Sequence, residues 1–178
     1  MSVHGRIRVF GTTAAVAAVA VAVGSGFAPA LTSSSAPKKI PPSGVGGVKL
    51  GKTYIQLRRQ DLVKKIQKGC PLGGPNTRAA VLKAPLKGGV NFTLSNPRRV
   101  TAITIRGGAR ARGVGIGAKI PAIKAAFPKA KVDHNTDQVF GITLVTIPKN
   151  GGGRLAFAVD TTTKRTTLIG IPGIPFCE

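Results

Sequence analysis

Apolar and polar residues alternate in matched stretches along this chain. Val90, Phe92 and Leu94 occupy every second position and match Leu155, Phe157 and Val159 at an offset of 65. Ile103, Ile105 and Gly107 match Ile169, Ile171 and Gly173 at an offset of 66. A period of two is what a strand with one buried face requires, so each set predicts a strand. Ahead of these stretches, Gly47-Val48-Lys49-Leu50-Gly51 recurs as Gly113-Val114-Gly115-Ile116-Gly117, and Tyr54 and Leu57 recur as Ile120 and Ile123, all at 66. The apolar i, i+3 pair opens a helix in each half.

In the first half the pattern predicts a helix over about 53–68, ended by Gly69 with Pro71 beyond it, then strands over about 78–84, 89–95 and 99–106. In the second, Pro121 falls in the first helical turn, where a missing N–H is harmless, and Pro128 stops a short helix at Phe127. Strands follow over about 138–147, 154–160 and 165–171. The fold class expected is α+β. Two αβββ repeats, 47–107 and 113–173, place their helices on one face of an antiparallel sheet and leave the other face open. Three strands are too few to stand alone, so the two copies should pack as one unit.

The remaining chain has a different character. Residues 1–30 read as a bacterial-type signal peptide: Arg6 and Arg8, then an Ala/Val run, then Ala28-Pro29-Ala30 with small residues where a signal peptidase cuts. Residues 31–46, rich in Ser, Pro and Gly, read as a flexible linker, and 174–178 as a C-terminal tail. The mature chain is expected to carry no transmembrane span and to be secreted, extracellular or associated with the cell wall. In an exported chain the two cysteines, Cys70 and Cys177, favour one disulfide, which would staple the tail to the first half.

The glycine-framed entry to an amphipathic helix, followed by an antiparallel meander, twice in one exported chain, resembles the tandem α/β repeat of secreted β-lactamase inhibitory proteins. It is similar also to the single-copy SmpA/OmlA-type envelope lipoproteins. The resemblance covers about residues 47–173. It implies the fold just described and, from the first family, a role as an inhibitor of an extracellular enzyme. The chain departs from both families: its acidic residues are only Asp61, Asp133, Asp137, Asp160 and Glu178, and no cysteine stands near the cleavage region to carry a lipid.

Charge changes the functional picture more than the fold. The chain holds 27 Lys and Arg against 5 acids; without Arg6 and Arg8 the mature part keeps 25 against 5, a net +20. With 42% hydrophobic residues it still has the material for a core, so the charge does not imply disorder. Arg98-Arg99 and Lys164-Arg165 begin the third strand of each copy, and pairing of the copies is expected to bring them to one rim. Arg106, Arg110 and Arg112 flank the connector. Together these seven residues are the candidate polyanion-binding surface, since unneutralised positive potential attracts phosphate or carboxylate polymers. Sequence-specific nucleic-acid recognition is not expected: no helix-turn-helix, zinc-finger or aromatic RNA-binding pattern occurs, Trp is absent and Tyr54 is the single Tyr.

Catalysis has few candidate groups. His134 is the one histidine outside the signal region, with Asp133 and Asp137 beside it, and spacings of one and three residues in a loop seldom give triad geometry. The same stretch is short of the converging ligands a metal needs. Lys87-Gly88-Gly89, Arg106-Gly107-Gly108 and Gly151-Gly152-Gly153 lack a phosphate-loop or dinucleotide pattern and read as turns. Asn91-Phe92-Thr93 fits a glycosylation sequon but lies in a predicted strand. The chain is therefore expected to be no enzyme and to use no cofactor or metal. Its expected partner is an anionic cell-wall polymer or an extracellular protein.

Overall fold

In the computed structural model, which describes residues 36–41, 43–148 and 154–176, the matched glycine segments form tight hairpins. Strands β1 (Lys38–Lys39), β2 (Gly44–Val45) and β3 (Val48–Lys49) lead into helix α1 (Tyr54–Arg59). β2 and β3 pair around Gly46 and Gly47, whose φ angles of 53° and 90° are the two left-handed positions of a type I′ turn. Four strands follow: β4 (Gln67–Lys68), β5 (Arg78–Val81), β6 (Lys87–Phe92) and β7 (Val100–Gly107). The second half opens with β8 (Ala109–Ala111) and β9 (Val114–Gly115), paired around Arg112 and Gly113 at φ of 48° and 82°. It continues with α2 (Ile120–Ala126), β10 (Lys131–Asp133), the single turn α3 (Asp137–Phe140), β11 (Ile142–Ile147), β12 (Leu155–Asp160) and β13 (Thr166–Ile171).

Eight strands make one antiparallel sheet in the order β10-β11-β12-β13-β7-β6-β5-β4. At its centre Ile169 lies opposite Ile105, Gly170 opposite Thr104 and Ile171 opposite Ile103. This register is reciprocal: the residue 66 beyond Ile103 faces Ile105, and the residue 66 beyond Ile105 faces Ile103. Alternate positions of the central strands, Val90, Ile103, Ile105, Phe157, Ile169 and Ile171, are enclosed and form one core with Leu57 of α1 and Ile123 of α2. Tyr54 meets Phe92 edge-on at 5.7 Å, and Phe127 meets Phe157 at 6.0 Å. The class is thus α+β, mostly sheet, with three helices among the described residues.

Four expectations require correction. The first helix ends at Arg59, not near residue 68. A capping box between Thr53 and Gln56 starts it, but beyond Asp61, at φ 54°, the backbone turns into pairing with the end of β5 and the residues just after it. There Lys64 N–H donates to Val81 and Lys83 N–H to Leu62, and Val63 becomes fully buried. Tertiary pairing of this kind overrides the weak helical preference of the stretch. Part of the supposed flexible linker over 31–46 is built into the fold: β1 runs parallel to β8, and Ile40 and Val45 enter the core. The strand expected from Gln138 begins at Ile142, because Asp137 to Phe140 form a turn of helix closed by left-handed Gly141 at φ 63°.

The second face of the sheet is not fully open. The C-terminal segment folds back over β13, so closely that a Cβ on Gly170 would collide with the carbonyl of Gly173 and lie 2.7 Å from Ile174. Phe176 then stacks on Phe140 at 4.5 Å and an interplanar angle of 10°. The expected signal peptide over 1–30, the start of the expected linker, Cys177 and Glu178 lie outside the described residues. No helix among the described residues is long and apolar enough to cross a membrane.

Candidate functional site

The antiparallel course of β7 and β13 places the two basic doublets at opposite ends of the sheet. Arg98-Arg99 precede β7 and Lys164-Arg165 precede β13, and with Ile103 opposite Ile171 the two strand starts point away from each other. The common rim expected from the sequence is therefore not formed. The register brings other cations together instead. Arg106, near the end of β7, and Lys87, paired with Gly107 at the start of β6, share the Lys164-Arg165 end. Lys87 was not among the candidate residues; its place depends on strand register, which composition does not show.

Five of the seven candidate arginines and lysines donate to backbone carbonyls. Arg99 reaches Gly51 at 3.1 Å and Arg165 reaches Gly117 at 3.2 Å. Arg98 donates to Thr93 at 2.7 Å and to Asn76 at 3.3 Å, and Arg110 to Gly113 at 3.1 Å. Arg112 donates to Ala126 at 3.3 Å and lies 5.2 Å over the Phe127 ring, a cation–π arrangement. Each guanidinium carries five N–H groups, so these bonds fix the side chain while leaving most of its donors and all of its charge available.

Acidic groups do little to neutralise this surface. The described residues include 24 of the 27 Lys and Arg, lacking Arg6, Arg8 and Lys149, and a carboxylate pairs with only one of them, Asp61 with Lys83. That hydrogen bond from Lys83 holds the Asp61 carboxyl below its ordinary value. Asp160 accepts from the Thr163 N–H at 2.6 Å, the Thr163 hydroxyl at 2.8 Å and the Thr162 N–H at 3.1 Å, which lowers its pKa too. Asp137 is lowered chiefly by its hydrogen bond to His134 Nδ1 at 2.8 Å. This His–Asp contact, at a spacing of three residues, is a local pairing that the sequence argument discounted. Asp133 meanwhile accepts from the Asn135 N–H at 2.9 Å. No group of three His, Cys, Asp or Glu side chains among the described residues is placed to hold a metal.

Two further features bear on function. A cavity of about 240 Å³ opens on the second face of the sheet, lined by Asn91, Thr104, Arg106, Leu168, Ile174 and Phe176 among others. Cys70 Sγ lies 3.7 Å from the carbonyl oxygen of Phe176, the residue before Cys177. No protein-family profile, curated protein or solved structure matches this chain.

Proposed function

We propose that the protein is an exported, non-catalytic binding protein that docks anionic polymers of a bacterial envelope through its basic surface. The observation that carries this reading is the near absence of charge compensation. Among 24 described cations only Lys83 meets a carboxylate, and the fixed guanidinium groups keep free donors facing solvent. Uncompensated charge at this density attracts a polyanion without selecting its sequence. Arg106, Lys87, Lys164 and Arg165 at one end of the sheet are its densest part; Arg98 and Arg99 form a second contact region at the other.

The same reading takes the chain as a tandem duplication, released after cleavage behind Ala30 and closed by a Cys70–Cys177 disulfide. The reciprocal Ile103–Ile171 and Ile105–Ile169 register and the paired Arg99–Gly51 and Arg165–Gly117 bonds support duplication, as does the twin type I′ hairpin. The proximity of Cys70 to Phe176 supports the disulfide.

The test is a binding assay of the mature chain against isolated cell-wall and extracellular fractions at low salt and at about 0.15 M. Polymer docking predicts retention on the wall fraction that falls steeply as salt rises. Retention of a single protein at fixed stoichiometry, indifferent to salt, would replace this reading with the inhibitor role that the family resemblance implies. Binding to neither fraction at either salt would overturn both.

A further inference from the structure

The cavity on the second face differs in kind from the basic rim. Its lining comes from the strand positions that alternate with the core: Asn91 beside buried Val90 and Phe92, Thr104 between Ile103 and Ile105, and Leu168 next to Ile169. The returning C-terminal segment supplies the opposite wall through Ile174 and Phe176. Arg106 is the single charged residue in the lining, and no acid faces it. Among the described residues neither the Arg106 guanidinium nor the Asn91 amide has a hydrogen-bond partner, whereas five other candidate arginines are tied to carbonyls. Thr104 donates to Gly89 at 3.3 Å, a long bond, so its hydroxyl oxygen adds polarity without closing the site.

We propose that this cavity binds a small amphiphilic carboxylate: Arg106 and Asn91 donate to the carboxylate at the mouth, and the apolar body lies against Leu168, Ile174 and Phe176. The ligand's charge is set by a lone cation with no acid beside it. Its apolar part is set by the wall opposite that cation. Its size follows from the volume: 240 Å³ corresponds to about eight liquid-water volumes, which admits a short aliphatic acid of about six carbons. An extended polymer chain does not enter such a space, so the cavity is a second kind of site, which shares only Arg106, at its mouth, with the docking surface and does not require polymer docking.

Hexanoate is the probe, followed by backbone amide NMR shifts of the mature, oxidised protein. Saturable shifts confined to residues around Asn91, Thr104, Arg106 and Leu168 are expected. Hexan-1-ol, which lacks the charge, and acetate, which lacks the apolar body, should each bind at least about tenfold more weakly, the loss expected for one charge-assisted hydrogen bond or for several buried methylenes. Arg106→Gln should weaken hexanoate by a similar factor, and Lys124→Gln, which removes one solvent-exposed charge from α2, should leave it unchanged. The proposal is overturned if the shifts scatter over the surface lysines, if the alcohol binds as well as the acid, or if folded Arg106→Gln keeps the wild-type affinity. Should that variant fail to fold, the acid–alcohol comparison on the wild type decides alone.

Discussion

Arg165 reaches across 48 residues to the carbonyl oxygen of Gly117 at 3.2 Å. Arg99 makes the matching bond to Gly51, again across 48 residues, at 3.1 Å. Beside each guanidinium the backbone pairs in the same way. Gly117 N–H donates to Thr166 and Thr166 N–H to Ala118, as Gly51 N–H donates to Val100 and Val100 N–H to Lys52. The arginine side chain thus completes a three-bond clip between the exit of a glycine hairpin and the first residue of a central strand. Two residues expected only to attract polyanions also hold the fold's two helix entries in place.

Arg165→Ala removes one charge-assisted bond at a solvent-exposed position. A cost of about 1 kcal/mol is expected, below the usual figure for a charged donor because water replaces part of the lost bond. Thermal unfolding should show the midpoint falling by roughly 2–4 °C. Arg165→Lys retains the charge but not the planar fork, so its midpoint should lie nearer to alanine's while its polymer binding stays near wild type. A lysine variant as stable as wild type would show that charge alone, without the carbonyl bond, accounts for the effect.

The contact between the sheet's two halves rests on Ile105 and Ile169, which face each other and are both fully buried. Truncating either to Ala should cost about 2–5 kcal/mol, the transfer loss plus the cavity left behind. Because the two share one space, the double variant should cost less than the sum of the singles, with a coupling of roughly 0.5–3 kcal/mol in a denaturant-unfolding cycle. Strict additivity would mean that β7 and β13 do not pack side by side as described.

Much of this fold was legible in the sequence where the signal was local. The period-two runs located β6, β7, β12 and β13 to within a few residues, whereas the pairing of β7 with β13 and its register were not foreseen. What escaped was set by distant pairing. Leu62, Val63 and Ile66 have helical spacing, yet Val63 is drawn into a bridge with Leu82. Ile40 stands in a Pro- and Ser-rich stretch but is buried because its N–H finds the carbonyl of Arg110. The basic doublets were identifiable; which ends of the sheet they occupy was not, since strand direction depends on how the halves meet. The cavity was the hardest to foresee: Asn91, Thr104 and Leu168 lie far apart in sequence, and its second wall comes from a tail that the repeat pattern does not include.

Acidification should destabilise the protein below the ordinary carboxylate range. Asp160 is held below its usual 3.8 by the Thr163 N–H and then the Thr163 hydroxyl, while Asp137 and Asp61 are lowered by His134 and Lys83. A carboxyl with a lower pKa when folded than when unfolded contributes fully above its unfolded value. That contribution disappears as pH falls through the folded value. The unfolding midpoint should therefore decline below about pH 4 on account of these groups. Asp160→Asn keeps a carbonyl oxygen for the turn without a proton to gain, so its gap from wild type should narrow as pH drops. An equal gap at pH 3 and pH 7 would remove Asp160 from this account.

The remaining prediction concerns the tail. Cys70 lies beside the carbonyl of Phe176, and a bond from it to Cys177 would close a loop spanning 107 residues. On the chain-entropy account such a closure stabilises by roughly 4–5 kcal/mol, less any strain. Protein purified without reductant should resist thiol alkylation until reduced and then take up two labels. Reduction should lower the unfolding midpoint by roughly 10 °C or more. It should also release the segment that stacks Phe176 on Phe140 and places Ile174 over Gly170, so hexanoate binding should weaken together with stability. Native protein that alkylates readily at both cysteines would dissociate the tail from the disulfide, leaving the Phe176–Phe140 stack and the packing on β13 to hold it.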